Sequence, residues 1–235
     1  MSQHVLLNNI DHAALRVVAT RGAAYGDAVM HAVTFPAELR NVQACYPIVF
    51  QKTADGSFQP LALFGFTPGQ NLFLDGERWD APYIPLAIER QPFLIGRNGE
   101  ALVMHVDLDS PRIGTDAGEA LFLPHGGTSE FLERMNSVLR ALHEGLQATP
   151  AFIEALLAYD LLESFVLDIQ LDDGSEHRLA GFYTIHEERL RALDGAALER
   201  LHRQGHLEPV YMAVASLAHL RDLIDRVNRR HGRDA

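Results

Sequence analysis

Residues 46–95 read YPIVFQKTADGSFQPLALFGFTPGQNLFLDGERWDAPYIPLAIERQPFLI, and the order of apolar runs and turn residues in this stretch decides the fold class. Residues 46–50 form a short β-rich run followed by the turn residues Ala54-Asp55-Gly56-Ser57. Residues 61–66 make a second run, closed by Thr67-Pro68-Gly69. Two such runs around one turn predict an antiparallel hairpin. Residues 71–74, 93–95 and 101–107 are further strand candidates, the last two joined by Gly96-Arg97-Asn98-Gly99, whose Asn-Gly pair suits a reverse turn. Pro82, Pro85 and Pro92 keep the segment between them out of a central strand and leave room only for a short helix between Pro85 and Arg90.

Moving outward, residues 114–127 are a polar, glycine-containing connection around Leu121-Phe122-Leu123 and the best candidate for an internal boundary. From Thr128-Ser129-Glu130, apolar residues recur at spacings of three and four (Phe131, Met135, Val138, Leu139, Leu142, Leu146), which predicts a helix. Pro150 then predicts the start of a second helix carrying Phe152, Ile153, Leu156 and Leu157. Residues 165–171 and 177–185 flank Asp172-Asp173-Gly174 and predict one more hairpin. Helices are expected over 187–193, 196–204 and 216–230. Strands early and helices late, without regular alternation, give an α+β class: an antiparallel-rich sheet from the N-terminal half, helices mainly in the C-terminal half, and one additional hairpin. Residues 46–107 are expected to supply most of the sheet, within a single domain spanning 1–235 and a sub-boundary near 114–127.

Composition narrows the function. A chain of 235 residues can bury a sizeable core, and 47% apolar with 22% charged residues is ordinary for a globular protein. A net charge of −11 argues against a nucleic-acid surface, which needs clustered Lys and Arg. The one basic run, 226–233, reads as a solvated helix end. A single cysteine, Cys45, excludes an internal disulfide and suits a reducing compartment. The first 15 residues lack the pattern of a secretion signal, and no stretch approaches the roughly 20 apolar residues that span a bilayer. A cytoplasmic protein without membrane insertion is expected. Neither GxGxxG nor GxxxxGK[ST] occurs, which argues against nucleotide hydrolysis, and no Gly-x-Ser-x-Gly elbow supports a serine hydrolase.

Several constellations invite chemistry, each with a plainer structural alternative. His105, Asp107 and Asp109 alternate along a predicted strand, and His-x-Asp is half of a two-histidine, one-carboxylate iron site. A second histidine must come from elsewhere, and the plainer account is a strand end capped by Asp109-Ser110-Pro111. His202 and His206 are four apart, as metal ligands on one helix face are, but Gly205 between them ends the helix. Cys45 before an apolar strand reads as a small buried hydrophobe. Asp172-Asp173 suits a solvated turn, and Glu187-Glu188 an acidic helix start. Trp79, Asp80, Tyr83 and Arg90 form an aromatic, charged cluster in a proline-braced loop, the composition of a recognition surface. Its alternative is a loop pinned by buried rings, with Asp80 pairing Arg90. These four are the candidate ligand- or partner-binding residues; no catalytic residue, metal ligand or cofactor is assigned.

The chain resembles the SapC family of bacterial proteins. The matching phrases are Tyr46-Pro47-Ile48-Val49-Phe50, Leu63-Phe64-Gly65-Phe66 through Gly69-Gln70-Asn71-Leu72-Phe73, Trp79-Asp80-Ala81-Pro82-Tyr83-Ile84-Pro85, Arg90-Gln91-Pro92-Phe93, Asp107-Leu108-Asp109-Ser110-Pro111 and Gly118-Glu119-Ala120-Leu121-Phe122, then a tail from Gly181 to Asp222. The resemblance implies association with cell-surface export or uptake systems, and it carries no established reaction. The expectation is therefore a non-catalytic accessory protein that binds a protein or peptide partner. The alternatives are an iron-dependent oxygenase using His105 and Asp107, and a homo-oligomeric scaffold joined through the amphipathic C-terminal helix.

Overall fold

The computed structural model describes residues 3–99 and 101–234. The strands in chain order are β1 (His4–Leu6), β2 (Arg16–Val17), β3 (His31–Val33), β4 (Ile48–Lys52), β5 (Phe58–Leu63), β6 (Leu74–Asp75), β7 (Arg78–Trp79), β8 (Phe93–Asn98), β9 (Ala101–Asp107), β10 (Ile113–Gly114), β11 (Glu119–Ala120), β12 (Leu162–Gln170) and β13 (Glu176–Ile185). The helices are α1 (Leu39–Val42), α2 (Leu86–Glu89), α3 (Glu130–Ala158), α4 (Glu187–Arg191), α5 (Gly195–Arg203), α6 (Leu207–Ser216) and α7 (His219–Asp234). The sheets are antiparallel and the long helices lie in the second half, so the class is α+β.

Two compact units share the chain. Unit 1 comprises Met1–Ala28, Leu74–Asp80 and Leu86–Glu144; unit 2 comprises Val29–Phe73, Ala81–Pro85 and Gly145–Ala235. The connection 114–127 falls inside unit 1, and the chain leaves that unit for the last time within α3.

Unit 1 is built from short pieces. Its sheet has the order β1-β9-β8, in which the hairpin expected around Asn98-Gly99 forms and β8 runs on through Gly96 to Asn98. A second sheet, β10-β2-β11, uses strands of two residues each. Gly118 makes that sheet possible: at φ 102° a side chain is strained, and an added Cβ would stand 2.4 Å from the Val17 carbonyl oxygen. The core gathers Val17, Phe93, Val106 and Leu121 with Leu132, Met135, Val138 and Leu139 of α3, the last four at helical spacing.

Unit 2 holds the larger sheet, ordered β12-β13-β4-β5-β3. Its two predicted hairpins form, β4 with β5 and β12 with β13. The two longest strands, β12 and β13, come from residues 162–185, so the expectation that 46–107 supplies most of the sheet is corrected. Residues 71–74 are not a strand either: the Asn71 side chain accepts the Phe73 amide at 3.0 Å and turns the chain, and pairing begins only at Leu74. Ile48, Phe50, Leu63, Phe152, Leu201 and Val210 are fully buried in the unit. Ser216, itself buried, accepts the Ile48 amide at 2.8 Å and ties α6 to β4.

The two helices expected around Pro150 are one, α3, with the proline inside it. A helix-interior proline costs about 3 kcal/mol and one backbone bond. Here Pro150 and Leu146, whose carbonyl loses its bond, are both exposed, while Phe152, Ile153 and Leu156 beyond them are buried and hold the helix on course. Helix α6 was not foreseen, because the pattern after Gly205 offers no capping side chain: His206 precedes it without a side-chain cap. The basic run of α7 is more than a solvated end. Arg226 stacks 4.3 Å from the Phe73 ring centroid, and Arg230 donates to the Asn71 carbonyl at 2.9 Å.

Candidate functional site

In unit 1, Arg90 and Pro92 from one family-like phrase and Asp107, Asp109 and Ser110 from another line a single cleft of about 310 Å³, together with Tyr25. The volume lies at the lower end for small-ligand sites, on the order of 300–1,000 Å³. The two phrases meet because β8 and β9 are hairpin partners and the Asp107 amide continues the ladder onto the Pro92 carbonyl at 3.2 Å. Beyond Asp107 the strand turns, with the Asp109 amide donating to Asp107 Oδ1 at 3.2 Å and the Arg112 amide to Ser110 Oγ at 3.3 Å; of the cap expected from Asp109-Ser110-Pro111, Ser110 takes part while Asp107 stands in for Asp109. Strand β1 closes on the other edge of β9 and sets His4 opposite Asp107, with His4 Nε2 3.8 Å from Asp107 Oδ2.

Behind the cleft stands a buried ion pair that the sequence did not disclose. Arg112 is 1% exposed and Asp27 fully buried; Arg112 Nη2 donates to Asp27 Oδ2 at 2.6 Å. Arg112 Nη1 donates to the carbonyls of Val18 at 3.1 Å and Thr20 at 2.8 Å, and the Arg112 amide donates to Ser110 Oγ at 3.3 Å. Asp27 also accepts the Gly22 amide at 2.9 Å, and Arg21 Nη1 lies 3.6 Å from its other oxygen. Burial, and then the charge of Arg112, pull the Arg21 pKa down, against the attraction of Asp27. Tyr25 packs its ring 5.5 Å from the Arg112 guanidinium carbon. Arg112 thus fixes two parts of the cleft lining at once, Tyr25 through the ring and Ser110 through the backbone.

Arg90 is half-buried and donates through Nη1 to the Phe93 carbonyl at 2.7 Å; burial lowers its pKa. The other sequence candidates lie elsewhere. Trp79 is 7% exposed on β7, so its indole belongs to the interior and offers no docking face. Asp80 meets Arg78 at 3.3 Å. Tyr83 lies in unit 2, where its hydroxyl donates to the buried Glu38 at 2.8 Å and its carbonyl accepts the Tyr46 hydroxyl. Of the four, Arg90 alone lines the cleft; Tyr25 and His4 join it without any local sequence signal, since the contacts that place them are long-range.

His105 packs its ring against Gly96, where an added Cβ would stand 2.4 Å from Nε2. Among the described residues no three His, Cys, Asp or Glu side chains gather as a metal site, and none joins His105 and Asp107 as a third ligand. His202 ends α5 and His206 precedes α6, separated by Gly205 at φ 73°. Cys45 is buried, and its surroundings raise the thiol pKa by desolvation.

A family model described as SapC matches residues 7–223. The chain belongs to the SapC family. No curated protein and no solved structure matches it. Both phrases that line the cleft lie within the part of the chain that the SapC model covers.

Proposed function

We propose that this SapC protein is a cytoplasmic, non-catalytic accessory protein whose 235 residues act as one SapC-like domain and whose cleft beside Arg90 binds a protein or peptide partner serving cell-surface export or uptake. The observation that carries the reading is the convergence of Arg90-Gln91-Pro92 and Asp107-Leu108-Asp109-Ser110-Pro111 on one cleft braced from behind by Arg112 and Asp27. A rigid support under a polar concavity is how binding geometry is held. Family association supports the export or uptake setting, and the absence of any helix long and apolar enough to cross a membrane among the described residues is compatible with it.

The test is to purify the full chain from a SapC-encoding bacterium without added metal and to measure its metal content and its mass in solution. A defined, stoichiometric complex formed by the parent chain and lost in a folded Arg90→Gln variant is the expected result. Stoichiometric iron that depends on His105 would instead make it an oxygenase-type enzyme, and a homo-oligomer indifferent to Arg90 would make it a scaffold.

A further inference from the structure

Within the cleft Arg90 is a cation that no carboxylate approaches among the described residues. Apart from the bond from Nη1 to Phe93, its guanidinium meets no hydrogen-bond or ion-pair partner among the described residues, and it is half-buried. A guanidinium has five donors, and one removed from water without an anion is left with hydration that nothing replaces. Arg112 and Arg21 of the same unit both approach Asp27. The carboxylates of the cleft show the opposite deficiency. Asp109 Oδ2 accepts the Gln3 amide at 3.0 Å, and Asp107 Oδ1 accepts the Asp109 amide. The one ion pair that either makes among the described residues is with His4, at 3.8 Å and charged only when protonated.

An anion alone in this cleft satisfies Arg90 and meets two aspartates; a cation alone does the reverse. A ligand with both signs answers both. We propose that the cleft recognises a zwitterion of the α-amino-acid type, its carboxylate on Arg90 and its ammonium on Asp107 and Asp109. The inference rests on the cleft being the binding site and, of the protein or peptide partners proposed for it, keeps a short peptide with free ends, of which a free amino acid is the limiting case. A cavity of about 310 Å³ has room for such a group.

The test is titration of the isotope-labelled full chain, followed by the backbone amide resonances of Tyr25, Leu94 and Ser110. The probes are alanine, alanyl-alanine, N-acetyl-alanyl-alanine and alanyl-alanine amide. Saturable shifts are expected with the zwitterions and at least tenfold weaker binding with each capped form; whether alanine or the dipeptide binds better identifies the source. Arg90→Gln and Asp109→Asn should each weaken zwitterion binding at least tenfold while the rest of the spectrum stays native. If Arg90→Gln loses its fold, Arg90→Lys, which keeps the charge and loses the fork, should weaken binding by a smaller factor. No saturable shift with either zwitterion, or equal binding of capped and free dipeptides, overturns the proposal. Should the dipeptide fail while an Arg90-dependent complex still forms, the ligand class is wrong and the accessory reading stands; if neither occurs, the cleft itself is dismissed.

Discussion

Units 1 and 2 hold buried charge in different ways. In unit 1, Arg112 and Asp27 form a full ion pair that also collects the carbonyls of Val18 and Thr20 and the amide of Gly22. In unit 2, the buried Glu38 accepts from the hydroxyls of Thr34 at 2.6 Å and Tyr83 at 2.8 Å. The difference follows the backbone. Unit 2 has ladders long enough to register a five-stranded sheet, so its carboxylate only pins one loop. Unit 1 joins two-residue strands, too short to hold loops 18–27 and 110–112 by themselves, and a side-chain network does that work.

If unit 1 depends on its ion pair in this way, Arg112→Ala should lower unfolding free energy by about 3–5 kcal/mol, because the fully buried Asp27 would lose its 2.6 Å cation and the carbonyls of Val18 and Thr20 their donor. Equilibrium denaturation measures it, and a loss under about 1 kcal/mol would erase the contrast between the units. Trp79→Ala in the same unit should cost roughly 3–5 kcal/mol by emptying a packed site. An unchanged midpoint would return the indole to the surface-recognition role that the sequence suggested. On the unit 2 side, Tyr83→Phe removes a single donor from Glu38 and should cost only about 1–2 kcal/mol. An effect as large as that of Arg112→Ala would show the two networks to be equivalent.

Smaller still is the expected pH response of unit 2. Burial lowers the pKa of His31 and of His206, whose ring lies 5.6 Å from that of Phe152. A histidine depressed in the folded state is protonated more readily once unfolded. Its contribution is therefore present above its unfolded pKa of 6.5 and lost as pH falls below it. Denaturation midpoints should drop between pH 7 and pH 5. The drop should shrink in His206→Gln, and an unchanged slope would remove His206 from the cause.

Legibility divided along the same line. The hairpins around Asp55-Gly56, Asn98-Gly99 and Asp173-Gly174 were readable because their turn chemistry is local, and so was the apolar stripe from Met135 to Leu142. Pro150 misled because its local rule competes with burial of Phe152 and Leu156, a tertiary effect. Strands β2, β10 and β11 were invisible, as two residues carry no periodicity. At the site, Arg90 and the Asp107-to-Pro111 turn stood out as phrases, but Tyr25, His4, Asp27 and Arg112 did not. Their partners lie far along the chain, as Val18 does 94 residues from Arg112, and nothing in a single sequence pairs them.

The central claim is that unit 1 keeps one arginine for its fold and another for a ligand, and the stability of Arg90→Gln tests it most directly. If Arg90 awaits a ligand, its removal forfeits one bond to Phe93 and relieves an unmatched half-buried charge, so the unfolding free energy should change by less than about 1 kcal/mol in either direction. A loss of about 3 kcal/mol or more, comparable with Arg112→Ala, would show that Arg90 is structural and that the cleft is not the binding site.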